Sequence, residues 1–379
     1  MRTRVCSVPE RELGGHPDAP ALAIGAHTLT YRDLDQAIVR WNDERPDTHV
    51  YDASSLPLTQ ALICICAAAR RGIPVMVENP DARPARPDIP PSAFLLVATS
   101  GSTGHPRPLA RTAASWYDSF PAFTTLTGLR PTDRVLITGP LHATMHLFGA
   151  LHALWRGACV TDDPAHATVV HAVPAVLRDV VREAPALHTA IVAGIALDAG
   201  SLAAANGLDV VEYYGSAEAS LVAARRVPEP LRLLDDVAAE IRDGLLHVRS
   251  PYTVLGAPEW LCVGDLAELG DNRELVVRGR GDGVINVGGT LVVAEEVERT
   301  LETVNGITAA AVIGFPHAVF GAIVTAAVQL DGAGISEVRA RARRVLTGAA
   351  MPRRWIAVPE LPRTAVGKIA RARVKELLV

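Results

Sequence analysis

The order of apolar and helical segments predicts an α/β protein. A large N-terminal domain of doubly wound α/β sheets ends in a small β-barrel or antiparallel sheet, and a smaller α+β domain follows. Three observations carry this. Short apolar strands alternate with helical segments from residue 29 to 213, and short β-type runs dominate from 238 to 277. Beyond Gly279-Arg280-Gly281-Asp282, strands and helices mix in a new order. The boundary therefore falls near Arg280, giving domains 1–280 and 281–379.

Leu29-Thr30-Tyr31-Arg32-Asp33-Leu34 reads as a strand end entering a helix, and residues 60–71 as a helix stopped by Gly72 ahead of a strand at 74–77. The Pro-, Asp- and Arg-rich stretch 79–92 is a linker onto the strand at 94–97. Further strands are expected near 134–137, 168–172, 189–192 and 210–213 with helices between, as in a parallel sheet. Residues 295–304, 309–313, 324–329 and 335–346 supply the strands and helices of the last domain.

With 379 residues, 49% of them apolar and 4% aromatic, the chain can bury two or three packed units. A net charge of -4 argues against a nucleic-acid partner. Five cysteines form an odd set, and Cys64-Ile65-Cys66 lies in an apolar stretch without metal-ligand spacing, so reduced thiols in a cytoplasmic protein are expected. The N-terminus shows no basic flank with an apolar core, and the longest apolar run, 61–69, is too short for a bilayer. No targeting or transmembrane segment is expected.

The segment richest in chemistry is 97–107, Val-Ala-Thr-Ser-Gly-Ser-Thr-Gly-His-Pro-Arg. Gly101 and Gly104 let the backbone approach an anion. Thr99, Ser100, Ser102 and Thr103 add donors, and Arg107 adds charge. No Gly-Lys-Ser/Thr follows, so it is not a Walker loop. Such turns are usually ordinary surface loops, and the weight here comes from five further segments in one order. Glu212-Tyr213-Tyr214-Gly215-Ser216-Ala217-Glu218 ends an apolar strand, where open α/β sheets bind ligands. Val263-Gly264-Asp265, Gly279-Arg280-Gly281-Asp282 and Gly288-Gly289 come next. Leu361-Pro362-Arg363-Thr364-Ala365-Val366-Gly367-Lys368-Ile369 offers a lysine on a turn.

In this order and at these separations the chain, from Leu29 onward, resembles the adenylate-forming superfamily of acyl-CoA synthetases, peptide-synthetase adenylation domains and luciferases. The stretch 94–120, with Thr112-Ala113-Ala114-Ser115-Trp116, is most similar to small bacterial acyl-CoA synthetases. The resemblance implies an AMP-forming acid–thiol ligase that joins a carboxylic acid to ATP, releases pyrophosphate, and passes the acyl group to CoA or a carrier-protein phosphopantetheine. It implies that Thr99, Ser100, Gly101, Ser102, Thr103, Gly104 and Arg107 hold the β- and γ-phosphates. Tyr214, with Gly215 and Ser216, would meet adenine, and Glu218 would hold Mg²⁺. Asp265, a double acceptor for a vicinal diol, would bind the ribose, and Arg280 the ribose and phosphate. Lys368 would bridge the acyl carboxylate and the α-phosphate, where charge changes in the transition state. Asp282 matches a hinge about which a mobile C-terminal domain turns, bringing Gly288 and Gly289 beside the pantetheine arm. His142, Met145, His146, Phe148, Gly194 and Ile195 match the acyl pocket. A homodimer is one assembly left open.

The chain departs from that pattern in three places. The phosphate loop ends in Pro106-Arg107 where Pro-Lys is common, Ala217 stands where a hydroxyl residue precedes the glutamate, and Asn286 replaces a frequent lysine. The segment ahead of the phosphate loop is also shorter than usual. Residues 139–148 contain no acid, so the α-ammonium of an amino acid would be buried unpaired. An uncharged fatty or aryl carboxylate is expected. Two alternatives stand beside this: an o-succinylbenzoate-type or stand-alone aryl-acid adenylating enzyme, and a non-catalytic nucleotide-binding scaffold or acyl-adenylate sensor.

Overall fold

The structure is a computed structural model that describes residues 12–85, 88–99, 106–287, 290–317, 319–363 and 369–377. The chain divides into two compact units. The first spans most of the chain to Ala238 together with Val248–Leu261, and the second comprises Ala239–His247 and Cys262 onward. By compactness, then, most of the 238–280 region groups with the C-terminal unit.

The first unit is built on a nine-stranded sheet. Its centre is a parallel run, Asp209–Ser216, Thr189–Val192, Val169–Ala172, Arg134–Ile137, Cys159–Thr161 and Pro20–Ile24, in that spatial order. Alternate residues of these strands feed two cores. Val135, Ile137, Val169, Ile191 and Val211 pack on one side, and Leu136, Val170, Ala190, Val192 and Val210 on the other. Burial on both faces explains why these strands read as continuous apolar runs. A second sheet orders Tyr51–Asp52, Val75–Met76, Leu95–Ala98 and Pro108–Arg111, with an antiparallel last pair.

Local signals hold up. Helix Tyr31–Asp43 starts at Thr30, whose side chain accepts the Asp33 amide while the Asp33 carboxylate accepts the Thr30 amide. Helix Leu58–Arg71 stops at Gly72, which takes the left-handed conformation (φ 68°) that ends helices at little steric cost. Cys64, Cys66 and Cys159 are buried free thiols, and burial pushes those of Cys64 and Cys66 up to about 12. Among the described residues no helix is long and apolar enough to cross a membrane.

A four-stranded sheet, most of whose residues fall in the second unit, orders Ala238–Arg242, Leu245–Arg249, Leu261–Leu269 and Leu275–Arg280. The region expected as a small barrel or antiparallel sheet thus takes the sheet form. A five-stranded sheet follows, with Ile307–His317, Gly321–Leu330 and Arg354–Ala357 adjacent. Strand alternation again divides the core: Ala310 and Val312 join Val297 and Leu301 of helix Ala294–Glu302, whereas Ala309 and Ala311 join Leu361 and Val374. Val374 belongs to the last helix, Arg371–Leu377.

Candidate functional site

In the first unit the candidate residues gather at the C-terminal ends of neighbouring parallel strands. Gly139–His146 follows Arg134–Ile137, Gly194 and Ile195 follow Thr189–Val192, and Tyr214–Glu218 ends Asp209–Ser216. That edge is where α/β sheets present ligands. The hairpin of Leu95–Ala98 and Pro108–Arg111 brings up the glycine-hydroxyl loop. Its neck is closed twice: the Thr99 amide donates to the Arg107 carbonyl at 3.0 Å, and the Arg107 amide to Thr99 Oγ1 at 3.0 Å. Ser100, Gly101, Ser102, Thr103 and Gly104 lie outside the described residues.

The turn carrying Glu218 is shaped by its neighbours. Strand Asp209–Ser216 folds back on Ser220–Arg226 with Ser216 opposite Ser220. Gly215 is required there, because a Cβ would stand 2.0 Å from the Ser220 carbonyl oxygen. The Ala219 amide donates to Ser216 Oγ at 3.0 Å, which caps the turn over Ala217 and Glu218. Tyr213 reaches into the aromatic core beside Phe123, 5.4 Å between rings, so Tyr214, next along the strand, faces the other way and is half-buried.

Arg111 is the residue that sequence reasoning missed. It is fully buried and donates from Nη2 to the Ala217 carbonyl at 2.6 Å and from Nη1 to the Tyr252 carbonyl at 2.7 Å. Burial pulls its guanidinium down to about 10, partly offset by Glu218. A buried cation survives only with such partners. An arginine ending the apolar run 108–111 was the available signal. Arg107 Nη2 meets Glu218 Oε1 at 2.8 Å.

Beyond strand Arg134–Ile137, Gly139 makes room for the His146 ring, since a Cβ there would lie 2.3 Å from Nε2. Burial, with a smaller push from His142, lowers His146 to about 4, so its imidazole is neutral near pH 7. His142 and Met145 are half-buried, and Gly194 and Ile195 are exposed. Phe148 is committed to packing: it sits between Trp116, Phe120, Phe123 and His152 with ring separations of 5.1 to 6.4 Å.

In the second unit Asp265 and Arg280 are register partners across two antiparallel strands. Arg280 Nη1 donates to Asp265 Oδ1 at 3.1 Å and to the Val263 carbonyl at 3.0 Å. Gly264 bends the strand beneath them with φ 77°, a value favourable to glycine. Asp282 falls in the short 3-10 turn Gly281–Gly283. Gly288, Gly289 and Lys368 lie outside the described residues, and bridge partners Arg363 and Ile369 flank the lysine's segment. Among the described residues no three His, Cys, Asp or Glu side chains gather to hold a metal. A cation at Glu218 would be completed by substrate oxygens, which is the habit of Mg²⁺.

Residues 296–368 match the AMP-binding enzyme C-terminal domain family. An uncharacterized acyl–CoA ligase of Bacillus subtilis is 31% identical over 335 residues, covering 76% of this chain and 69% of that protein. A long-chain-fatty-acid–CoA ligase of Mycobacterium tuberculosis is 26% identical over 337 residues, covering 75% and 67%. Two solved structures share the fold. ATP-bound MatB from Rhodopseudomonas palustris superposes with a TM-score of 0.83 at 20% identity over 95% of this chain and 96% of that one. The o-succinylbenzoate–CoA synthetase of Bacillus subtilis with its acyl-adenylate intermediate gives 0.83 at 19% identity over 95% of this chain and 96% of that one.

Proposed function

The chain belongs to the AMP-forming acyl–CoA ligases of the adenylate-forming superfamily, and on that premise we propose that it activates an uncharged fatty or aryl carboxylate and delivers the acyl group to CoA or a carrier-protein phosphopantetheine. In the first step the acid's carboxylate oxygen attacks the α-phosphorus of ATP and pyrophosphate leaves. In the second a thiol sulfur attacks the acyl carbon and AMP leaves. The first step needs a cation where charge shifts between the acyl carboxylate and the α-phosphate, the task assigned to Lys368, with Arg280 assigned to the ribose and phosphate.

The observation that carries the substrate class is the neutral lining of the acyl edge. Burial holds His146 uncharged, residues 139–148 hold no acid, and Met145 and Ile195 are apolar. A substrate ammonium or second carboxylate would find no counter-charge in that segment. Thr99 through Gly104 with Arg107 are assigned to the phosphates, Tyr214 to adenine, Asp265 to the ribose and Glu218 to Mg²⁺. Asp282 is assigned the hinge and Gly288 and Gly289 the thiol's path. Glu218 suits a divalent cation because the Arg111 grip on the Ala217 carbonyl steadies the turn that bears its carboxylate.

Pyrophosphate release measured across a panel of fatty, aryl, dicarboxylic and amino acids tests this. Turnover confined to uncharged fatty or aryl acids is expected. Preference for an amino acid or a dicarboxylate overturns the substrate class, and no release with any acid from a protein that binds ATP favours a nucleotide-binding scaffold.

A further inference from the structure

Within the second unit, helix Ala294–Glu302 holds two carboxylates one turn apart that share a single arginine from the last helix. Arg371 Nη2 donates to Glu298 Oε2 at 2.6 Å, and Nη1 stands 3.0 Å from Glu295 Oε1. Glu298 also accepts the Val312 amide at 2.7 Å. The Nε of Arg371 is buried.

Glu295 has a second set of neighbours. A Cβ on Gly279 would stand 2.6 Å from its Oε2, and one on Gly283 would stand 2.9 Å away. The carboxylate thus lies against both ends of the 279–283 turn, and only glycine leaves room for it. Among the described residues neither Glu295 oxygen accepts a hydrogen bond, and the ion pair to Arg371 offsets its burial. A cavity of roughly 670 Å³ is lined by Gly283, Ile285, Arg371 and Lys375 among others. Through its contact with the turn and its ion pair to Arg371, Glu295 links turn and helix.

We propose that Glu295 and Arg371 are positioning residues, a strut that ties the 279–283 turn to the helix Arg371–Leu377 so that a rearrangement at one is felt at the other. The functional consequence rests on the ligase reading, in which the turn holds the hinge and Lys368 lies three residues before Arg371. Glu298 anchors the arginine from the far side. Burial, opposed by Arg371 and the Val312 amide and reinforced by Glu295, lifts its carboxyl to about 7, which makes the anchor sensitive to pH near neutrality.

The test uses the full chain with E295Q, R371A, R371K and E298Q. Hydrogen exchange of the 279–283 amides is read first, because it needs no activity. Faster exchange there in both E295Q and R371A, distant in sequence as they are, is expected, and unchanged exchange overturns the strut. Single-turnover adenylate and thioester formation come second. R371A is expected to lower the maximal rate of at least one half-reaction by about tenfold to a hundredfold, with KM for ATP and acid within roughly twofold and partial rescue in R371K. The wild-type pH profile should inflect near 7 and lose that inflection in E298Q. Wild-type rates in both half-reactions for E295Q and R371A overturn the functional role. An R371A that fails to fold leaves E295Q, its neutral isostere partner, to decide. A wild type that makes no adenylate refutes the ligase reading, and the exchange result then judges the strut alone.

Discussion

Arg107 Nη2 lies 2.8 Å from Glu218 Oε1, so the cation at the neck of the glycine-hydroxyl loop neutralises the carboxylate assigned to the metal. Arg107 is 73% exposed in its side chain, and such a pair contributes at most about 1 kcal/mol. Nucleotide phosphates can therefore take the arginine over at little expense. Arg107→Gln is expected to raise KM for ATP about tenfold with an unchanged melting temperature. A large loss of stability with normal KM would make Arg107 a structural residue.

Arg111 joins the loop hairpin to the Glu218 turn through the Ala217 carbonyl, 106 residues away, and to the Tyr252 carbonyl, 141 residues away. Arg111→Met removes two charge-assisted hydrogen bonds and strands both acceptors, a loss of about 3 kcal/mol or more. Chemical denaturation should show it. Adenylate formation at a temperature where the variant is still folded should also fall, because Glu218 loses its support; normal kinetics would reduce Arg111 to a stabilising role.

Lys368→Ala is expected to slow adenylation by about a hundredfold or more while sparing thiol transfer from preformed acyl adenylate. A bulky residue at Gly289 should do the reverse. Quenched-flow assays of the separate half-reactions decide, and equal losses in both steps for either variant would remove the assigned division of labour.

Ala217 has no hydroxyl, and Ser216 Oγ already accepts the Ala219 amide. Ala217→Thr is expected to raise the single-turnover adenylation rate about ten- to a hundredfold, the effect of one hydrogen bond to a charged group. A level or lower rate in a folded variant would mean that the position is already served.

Glu298 is predicted to make stability fall as pH rises. Its folded-state value, about 7, exceeds the ordinary 4.5, so the folded protein holds the proton more tightly than the unfolded chain does. That contribution is fully present below about pH 4.5 and lost as pH climbs through 7. Glu298→Gln should flatten the melting temperature between pH 5 and 8 relative to wild type, on the order of 3 kcal/mol over the window. Parallel curves for the two proteins would contradict the assignment.

Much of this protein was legible in its residues because the signals are local. Thr30 with Asp33, Gly72 after 58–71, and the apolar strands of the parallel sheet each act through spacing of a few positions, and the order of the glycine- and carboxylate-bearing turns carried the family. Tertiary structure alone decided the partners. Arg107 finds Glu218 across 111 positions, Arg111 finds the Ala217 carbonyl across 106, and Arg371 finds Glu298 across 73. It also showed that Phe148, apolar and next to the candidate pocket residues, is taken up by an aromatic core. Periodicity reports which face of an element is apolar, but the charge that a buried arginine meets depends on which loops the sheet order brings side by side.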